Sequence, residues 1–302
     1  MPKLRICIVQ YLNTAPLVWG FTNGPLRGKY ELSFTVPSQC AEAMRSGAAD
    51  VAIIPAIEYA RIDDLVVLPD LAIAAQRQVR SLLLMAKKPI ASVRRIALDR
   101  SSRSTQALVR ILCADHWRVA PELFEAAPEL ENMLRDADAA LLIGDPALRL
   151  SIAVESGSQR GASGELICSG DAAGVPAADS LYIYDVVEEW RRATGLPAVL
   201  AVWAARRDAA TPELVLDFLA SRDYGQARLG EISAAGAREL GLPAAALQKY
   251  LSENIDFSLT AENQRGLEHF YARAAALGLL PAAKAIEWAP SPIVLENARA
   301  RA

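Results

Sequence analysis

The sequence is poor in the residues that build metal and disulfide sites. It has two histidines, His116 and His269, and four cysteines, at 7, 40, 113 and 168, with no pair in CxxC spacing. That pattern gives neither the ligand spacing of a structural zinc site nor a disulfide framework, and the thiols are expected to be reduced and mostly buried. Long apolar runs are also missing. The longest, Ala198 to Ala205, is far below the about 20 residues that cross a bilayer. The start, Met1-Pro2-Lys3-Leu4-Arg5, enters a strand-like stretch without an apolar leader, which predicts a cytoplasmic protein. Charge of one sign is lacking too: 32 Lys and Arg stand against 35 Asp and Glu, a net −3. Composition therefore gives no case for a nucleic-acid partner, and an anionic ligand would need a local basic site. GxSxG, P-loop and GxGxxG motifs are absent, so serine-hydrolase, nucleotide-hydrolase and Rossmann chemistry have no support. No metal or cofactor is expected.

What is there is apolar and alternating. Of 302 residues 52% are hydrophobic and 22% charged, enough to bury a large core in one domain or two lobes. Leu4–Val9 reads as a strand, followed by Thr14 as a helix cap and Pro16 in the first turn, where proline is tolerated. Tyr30–Val36 alternates as a strand. Pro37-Ser38 opens a helix over Gln39–Arg45, with Ser38 as cap and Gly47 just past its end. Asp50–Pro55 is a short continuous apolar strand of the kind parallel sheets bury. This strand-helix order predicts a doubly wound, parallel α/β sheet.

A second series follows the apolar strand Ser81–Met85 and the break Lys87-Lys88-Pro89. Val93–Asp99 is a strand, Arg100–Ser104 a polar loop, Thr105–Trp117 a helix, and Ala139–Ile143 a strand, after which Gly144-Asp145-Pro146 opens another helix with Asp145 as cap. Residues 156–180 are rich in Gly, Ser and Ala and are expected to be loops. Asp185 with Glu188 resembles a capping box, and Gly195 closes that helix. Past the strand Ala198–Ala205 the chain is mainly helical: Pro212–Ser221 behind Thr211, Pro243–Asn254, and Ala261–Leu277 behind Thr260. The last twenty residues are Ala-rich and expected to be partly ordered. If 81–85 and 198–205 are both crossovers, two lobes result: 1–86 with 199–302, and 87–198. Two crossovers between α/β lobes are the architecture of periplasmic-binding-protein folds.

Ligands of open α/β sheets bind beyond the carboxyl ends of the strands. Four such junctions carry small polar groups here: Asn13-Thr14, Ser38, Ser101 to Thr105, and Gly144-Asp145. Each reads either as a cap or as part of an anion cradle made with helix N-termini. Asp145 reads best as a plain cap, since its charge would repel an anion. The loop Asp99-Arg100-Ser101-Ser102-Arg103-Ser104-Thr105 has more donors than capping needs, and Arg103 could bind a carboxylate, pair with Asp99, or stay solvated. Arg80-Ser81 lies at the start of the first crossover. Glu58-Tyr59 reads as an exposed turn, and both histidines, within helices, read as structural.

Together these stretches resemble a known family. Gln10-Tyr11-Leu12-Asn13-Thr14-Ala15-Pro16-Leu17, Val36-Pro37-Ser38, Asp50-Val51-Ala52-Ile53-Ile54-Pro55, Val79-Arg80-Ser81-Leu82-Leu83-Leu84 and Ala97-Leu98-Asp99-Arg100-Ser101-Ser102-Arg103-Ser104 occur in its order. So do Leu142-Ile143-Gly144-Asp145, Thr194-Gly195-Leu196-Pro197 and Tyr250-Leu251-Ser252-Glu253-Asn254-Ile255. The chain is similar to the chorismate dehydratases of the futalosine route to menaquinone, the MqnA side of the MqnA/MqnD family, up to about residue 281. The resemblance implies a two-lobed type 2 periplasmic-binding-protein fold used as a cytoplasmic lyase, with chorismate as its small-molecule substrate. It places the catalytic Asn at Asn13 and the catalytic Ser at Ser81. Tyr11, Thr14, Ser38, Arg80, Ser101, Ser102, Arg103, Ser104, Thr105 and Gly144 would complete the ligand shell. Two other readings compete: the sister dihydroxynaphthoate synthase, whose N-terminal motif lacks Tyr-Leu-Asn, and a non-catalytic cytoplasmic binder of small carboxylates.

Overall fold

A computed structural model describes residues 3–290, apart from 156, 163 and 174–179. Its contacts divide the chain into two units, one made of 1–74 and 199–302 and the other of 75–198.

The first unit opens with strand β1 (Arg5–Val9), a 3-10 turn over Leu12–Thr14, and helix α1 (Ala15–Thr22). Strand β2 (Glu31–Thr35), helix α2 (Pro37–Arg45), strand β3 (Val51–Pro55) and helix α3 (Ala56–Arg61) follow. β1 pairs parallel with both β2 and β3, as the strand-helix alternation predicts. Gly47, at φ +72, ends α2 in the left-handed conformation that favours glycine. The chain then makes strand β4 (Leu65–Ala75), which the sequence hid. Pro69 and Asp70, the latter at φ +57, interrupt its apolar run. Proline has no N–H for a ladder, and β4 lies at the sheet edge, where that is tolerated. Arg222 holds the irregularity by donating to the Asp70 carbonyl at 2.7 Å and its carboxylate at 3.0 Å.

In the second unit, strand β5 (Leu82–Ala86) and strand β6 (Arg95–Asp99) lead through helix α4 (Ser104–Asp115) to strand β7 (Glu122–Ala126). Helix α5 (Leu130–Asp136), strand β8 (Ala139–Ile143) and helix α6 (Gly144–Val154) come next. Strands β9 (Gln159–Arg160), β10 (Leu166–Ser169) and β11 (Ser180–Asp185) precede helix α7 (Val186–Thr194). Sheet order is β7-β6-β8-β5-β11-β10-β9. β5 was expected in the first lobe as a crossover. Instead it pairs antiparallel with β8 and β11 and is a central strand of this sheet, so 75–86 belongs to the second unit. The sequence cannot separate a crossover from a buried central strand, since both are short apolar runs. The stretch 156–180, expected as loop, contains β9 and β10. Asp185 caps α7 by accepting from Val187 and Glu188 N–H, and Gly195 closes that helix at φ +72.

Strand β12 (Ala198–Arg206) returns to the first sheet, whose order is β2-β1-β3-β12-β4, and runs antiparallel to β3. Helices α8 (Pro212–Gln226), α9 (Leu229–Leu240), α10 (Ala244–Lys249) and α11 (Ala261–Ala276) complete the first unit. α10 continues into a π turn over Tyr250–Asn254 where one uninterrupted helix was expected. Thr211 and Thr260 cap α8 and α11, accepting from Leu214 N–H at 3.1 Å and Asn263 N–H at 3.2 Å. α1 crosses α8 so closely that a Cβ on Gly225 would sit 2.0 Å from the Pro16 carbonyl oxygen, and one on Gly20 2.6 Å from Ser221 Cα. Beneath that crossing Phe218 packs edge-on against Phe21 at 4.9 Å and Trp203 at 4.7 Å. Outside β4, Ala74 pairs with Asp256, and Val67 N–H donates to the Glu287 carbonyl at 2.8 Å, so this sheet edge is covered. Lys284 donates to the carbonyls of Tyr59 and Ile62. The expected tail beyond residue 290 lies outside the described residues. The four thiols are free and buried, with the Cys7 and Cys40 sulfurs 3.5 Å apart.

Candidate functional site

In the first unit, β1 and β2 run parallel in the register Val9 to Thr35, so the segments that leave them begin at the same sheet edge. Asn13 follows β1 and Ser38 follows β2. Asn13 is 8% exposed, Thr14 1% and Ser38 6%, so three polar side chains are withdrawn from water at that edge. The capping roles expected for two of them are absent. Thr14 is itself helical (φ −88, ψ −23), because the chain enters α1 through a 3-10 turn, and its hydroxyl makes no cap bond. That hydroxyl instead lies 3.4 Å from Asn13 Oδ1. Ser38 sits inside the first turn of α2, whose N-cap is Val36. Among the described residues, neither the Ser38 hydroxyl nor the Asn13 amide nitrogen donates to a protein acceptor. Both groups are therefore able to donate to a bound molecule. Tyr11 supplies the extended residue before the turn (φ −77, ψ 153), and its carbonyl accepts from Thr14 N–H at 3.0 Å.

In the second unit, β6 and β8 are parallel neighbours, and β5 runs antiparallel to β8 with Leu82 opposite Ile143. Ser81 therefore begins where β8 ends, and Gly144 N–H donates to the Ser81 carbonyl at 2.8 Å. Gly144 takes φ +66 there, a conformation glycine adopts without strain. The loop after β6 opens at the same edge. Asp99 organises it: Oδ1 accepts from Ser101 N–H at 2.9 Å and Ser101 hydroxyl at 2.7 Å, while its carbonyl accepts from Gln106 at 2.9 Å. Burial pushes the Asp99 carboxyl above its usual range, against the pull of Ser101. Its Oδ2 has no hydrogen-bond partner among the described residues. Ser101 thus serves the loop, while Ser102, Ser104 and Thr105, each 3% exposed, lie at or before the first turn of α4.

Two arginines expected in the ligand shell, Arg103 and Arg80, are engaged by protein partners. Arg103 pairs with Glu125 of β7 at 3.0 Å, a partner the sequence did not suggest. Arg80 donates to Ser151 of α6 at 3.2 Å and to Glu155, just past the end of that helix, at 2.9 Å. Its backbone sits at φ +63, and its N–H donates to Asp185 Oδ2 at 2.6 Å. Desolvation pushes the Asp185 carboxyl up to about 6, opposed by the N–H groups around it. Asp145 was expected as the cap of α6, but Ile143 holds the N-cap position and Asp145 falls in the first turn. The Glu58-Tyr59 pair, expected as an exposed turn, lies buried in α3, where Glu58 bonds Arg45 at 2.6 Å and Arg61 at 2.8 Å. His116 lies 3.2 Å from Glu189, in a cluster with Trp117. Among the described residues no group of three or more His, Cys, Asp and Glu could hold a metal ion, and no helix is long and apolar enough to cross a membrane.

Residues 4–276 match the family model described as menaquinone biosynthesis. The chain belongs to that family. A curated relative, the chorismate dehydratase of Thermus thermophilus, is 29% identical over 277 residues, covering 89% of this chain and 93% of the relative. Among solved structures, protein AF1704 from Archaeoglobus fulgidus aligns with a TM-score of 0.69 at 19% identity, over 92% of this chain and 98% of that one. The periplasmic aliphatic sulphonate binding protein SsuA from Escherichia coli aligns with a TM-score of 0.62 at 16% identity, over 96% and 94%. These likenesses show the fold: this member of the menaquinone biosynthesis family has the periplasmic-binding-protein-like α/β architecture.

Proposed function

We propose that the chain is a chorismate dehydratase acting in the futalosine route to menaquinone, converting chorismate to 3-[(1-carboxyvinyl)oxy]benzoate and water. The observation that carries the proposal is the 29% identity to a chorismate dehydratase over 89% of the chain, within a family defined by menaquinone biosynthesis. The polar strand ends add chemical support, since they offer amide and hydroxyl groups that suit a substrate bearing carboxylates and a hydroxyl.

The reaction removes the proton on C3 of the ring and the hydroxyl on C4, and the electron pair of the C3–H bond completes the aromatic ring. The product is strongly favoured, so catalysis consists mainly of positioning the substrate and moving one proton. In this proposal Asn13 and Ser81 hold the enolpyruvyl group and the departing hydroxyl. The enolpyruvyl carboxylate of chorismate itself takes the C3 proton and gives it up to the hydroxyl departing from C4, which leaves as water. The state of Asp185 favours this route, since both of its oxygens are committed to backbone N–H groups.

The test is incubation with chorismate, followed by detection of the aromatic enolpyruvyl ether. Binding without conversion would favour a small-carboxylate binding protein, and absence of both would favour the sister enzyme. Replacing Asp99 and Asp185 by their amides separates the proton routes. A single change that abolishes turnover while chorismate still binds, with the backbone around Ser81 unaltered, would sink the substrate-assisted step.

A further inference from the structure

Arg80 has a backbone that its own side chain does not explain. At φ +63 it is in the left-handed region, with Asp64, Asp70 and Arg118 as the other non-glycine residues there among those described. Aspartate tolerates this region because its short side chain bonds locally, a device arginine lacks. Something outside the turn must hold Arg80, and the register shows what does. β11 pairs with β5 so that Asp185 stands opposite Leu83, next to the turn that starts β5.

The Asp185 carboxylate is divided between two tasks. Oδ1 accepts from Val187 N–H at 3.0 Å and Glu188 N–H at 3.1 Å, the N-cap of α7. Oδ2 accepts from Val79 N–H at 3.0 Å and Arg80 N–H at 2.6 Å. A cap needs one oxygen, and Ser or Asn would serve equally well. Only a carboxylate offers a second acceptor to a turn far away in sequence. The next residue is Ser81, whose carbonyl is fixed from the other side by Gly144 N–H at 2.8 Å.

We propose that Asp185 is a positioning residue for Ser81: its second carboxylate oxygen holds Arg80 in the left-handed conformation and so sets the direction in which Ser81 leaves the turn. This rests on the reading of Ser81 as a residue that handles substrate and goes beyond it by naming what places it. The side chain of Asp185 acts through the backbone and does not touch the substrate.

The test uses the full chain with Asp185→Asn, Arg80→Gly and the double variant. Asparagine keeps the α7 cap but presents an N–H₂ to one of the two amide pairs. Asp185→Ser, which also caps, stands in if Asp185→Asn does not fold. Amide hydrogen exchange is expected to accelerate at least about tenfold at Val79, Arg80 and Ser81 in Asp185→Asn, and to stay unchanged at Val187 and Glu188, because strength of protection follows the bonds that remain. With chorismate, kcat is expected to fall at least about tenfold, the effect of losing one well-oriented group, while KM moves less than about threefold. Glycine is at ease at positive φ, so the double variant should match the kcat of Arg80→Gly alone. A purely structural role would instead make the two losses multiply, since Arg80→Gly also deletes the contacts to Ser151 and Glu155. Unchanged exchange at 79–81, a kcat within twofold of the parent in Asp185→Asn, or multiplying losses would each overturn the proposal. If the parent chain does not convert chorismate, the dehydratase proposal fails on its own, and exchange at 79–81 still decides whether Asp185 fixes this turn.

Discussion

Asn13 and Ser38 are the residues whose meaning changes most between sequence and structure. Small polar residues at strand-helix junctions are usually caps, and Thr14 and Ser38 fit that pattern by position. The 3-10 entry gives Thr14 helical dihedrals at the N-cap of α1, where its hydroxyl makes no cap bond, and the start of α2 at Pro37 puts Ser38 inside the first turn. Neither detail is visible in the sequence, because proline in the first turn fits either arrangement. The Asn13 amide and the Ser38 hydroxyl are left at one sheet edge without protein acceptors among the described residues. If these groups meet substrate, Asn13→Ala should lower kcat/KM for chorismate by about 10²- to 10³-fold, the scale of losing one preorganised donor, with little change in melting temperature. Ser81→Ala should cost a similar factor. Steady-state kinetics alongside a thermal melt checks both. At the same scale, Arg103 and Arg80 show why candidate ligands were only partly legible. Their partners, Glu125 and Glu155, come from other elements that the sequence cannot place beside them.

Elements with continuous apolar runs and ordinary caps could be read directly. β3 and β8, the parallel order of β1, β2 and β3, and the Thr211, Thr260 and Gly195 helix ends are of this kind. β4 could not, because Pro69 and Asp70 break its pattern and Arg222, far along the chain, repairs it. The crossing of α1 and α8 also depends on a distant match, Gly225 against the Pro16 carbonyl. Gly225→Ala would force backbone apart at 2.0 Å and should destabilise the fold by roughly 1–3 kcal/mol or more, the cost of overpacking. Denaturant unfolding measures this, and a change below about 0.5 kcal/mol, the range of ordinary surface substitutions, would show that the helices separate freely. A pH effect belongs to the β1–β3 connection. Arg5 bonds Asp50 at 2.7 Å and holds its carboxyl below the usual range. Because the folded-state value lies below the unfolded one, the stabilisation is complete above the unfolded carboxylate range and is lost as pH falls through the folded value. Both partners are partly exposed, so solvent screens the interaction and the effect is small. Asp50→Asn should lower stability at pH 7 and converge with the parent in strong acid.

For the molecule as a whole, the residue types set the class and the pairing set the division. A sequence of apolar strands and intervening helices predicts α/β, but the position of β5 depends on which strands it pairs with. Its antiparallel neighbours β8 and β11 put it in the second unit. That unit, 75–198, is one continuous segment with its own sheet and buried cluster around Leu83, Met85, Leu142 and Ile183. Expressed alone it should melt cooperatively by circular dichroism, and a non-cooperative melt would show that it depends on the rest of the chain. The chemistry is tested by mixing purified protein with chorismate and following the products by mass and ultraviolet absorbance. A chorismate dehydratase will give stoichiometric loss of one water and the aromatic 3-[(1-carboxyvinyl)oxy]benzoate, at a rate that Asn13→Ala reduces at least about a hundredfold. Chorismate recovered unchanged from a folded, chorismate-binding protein would contradict the proposal.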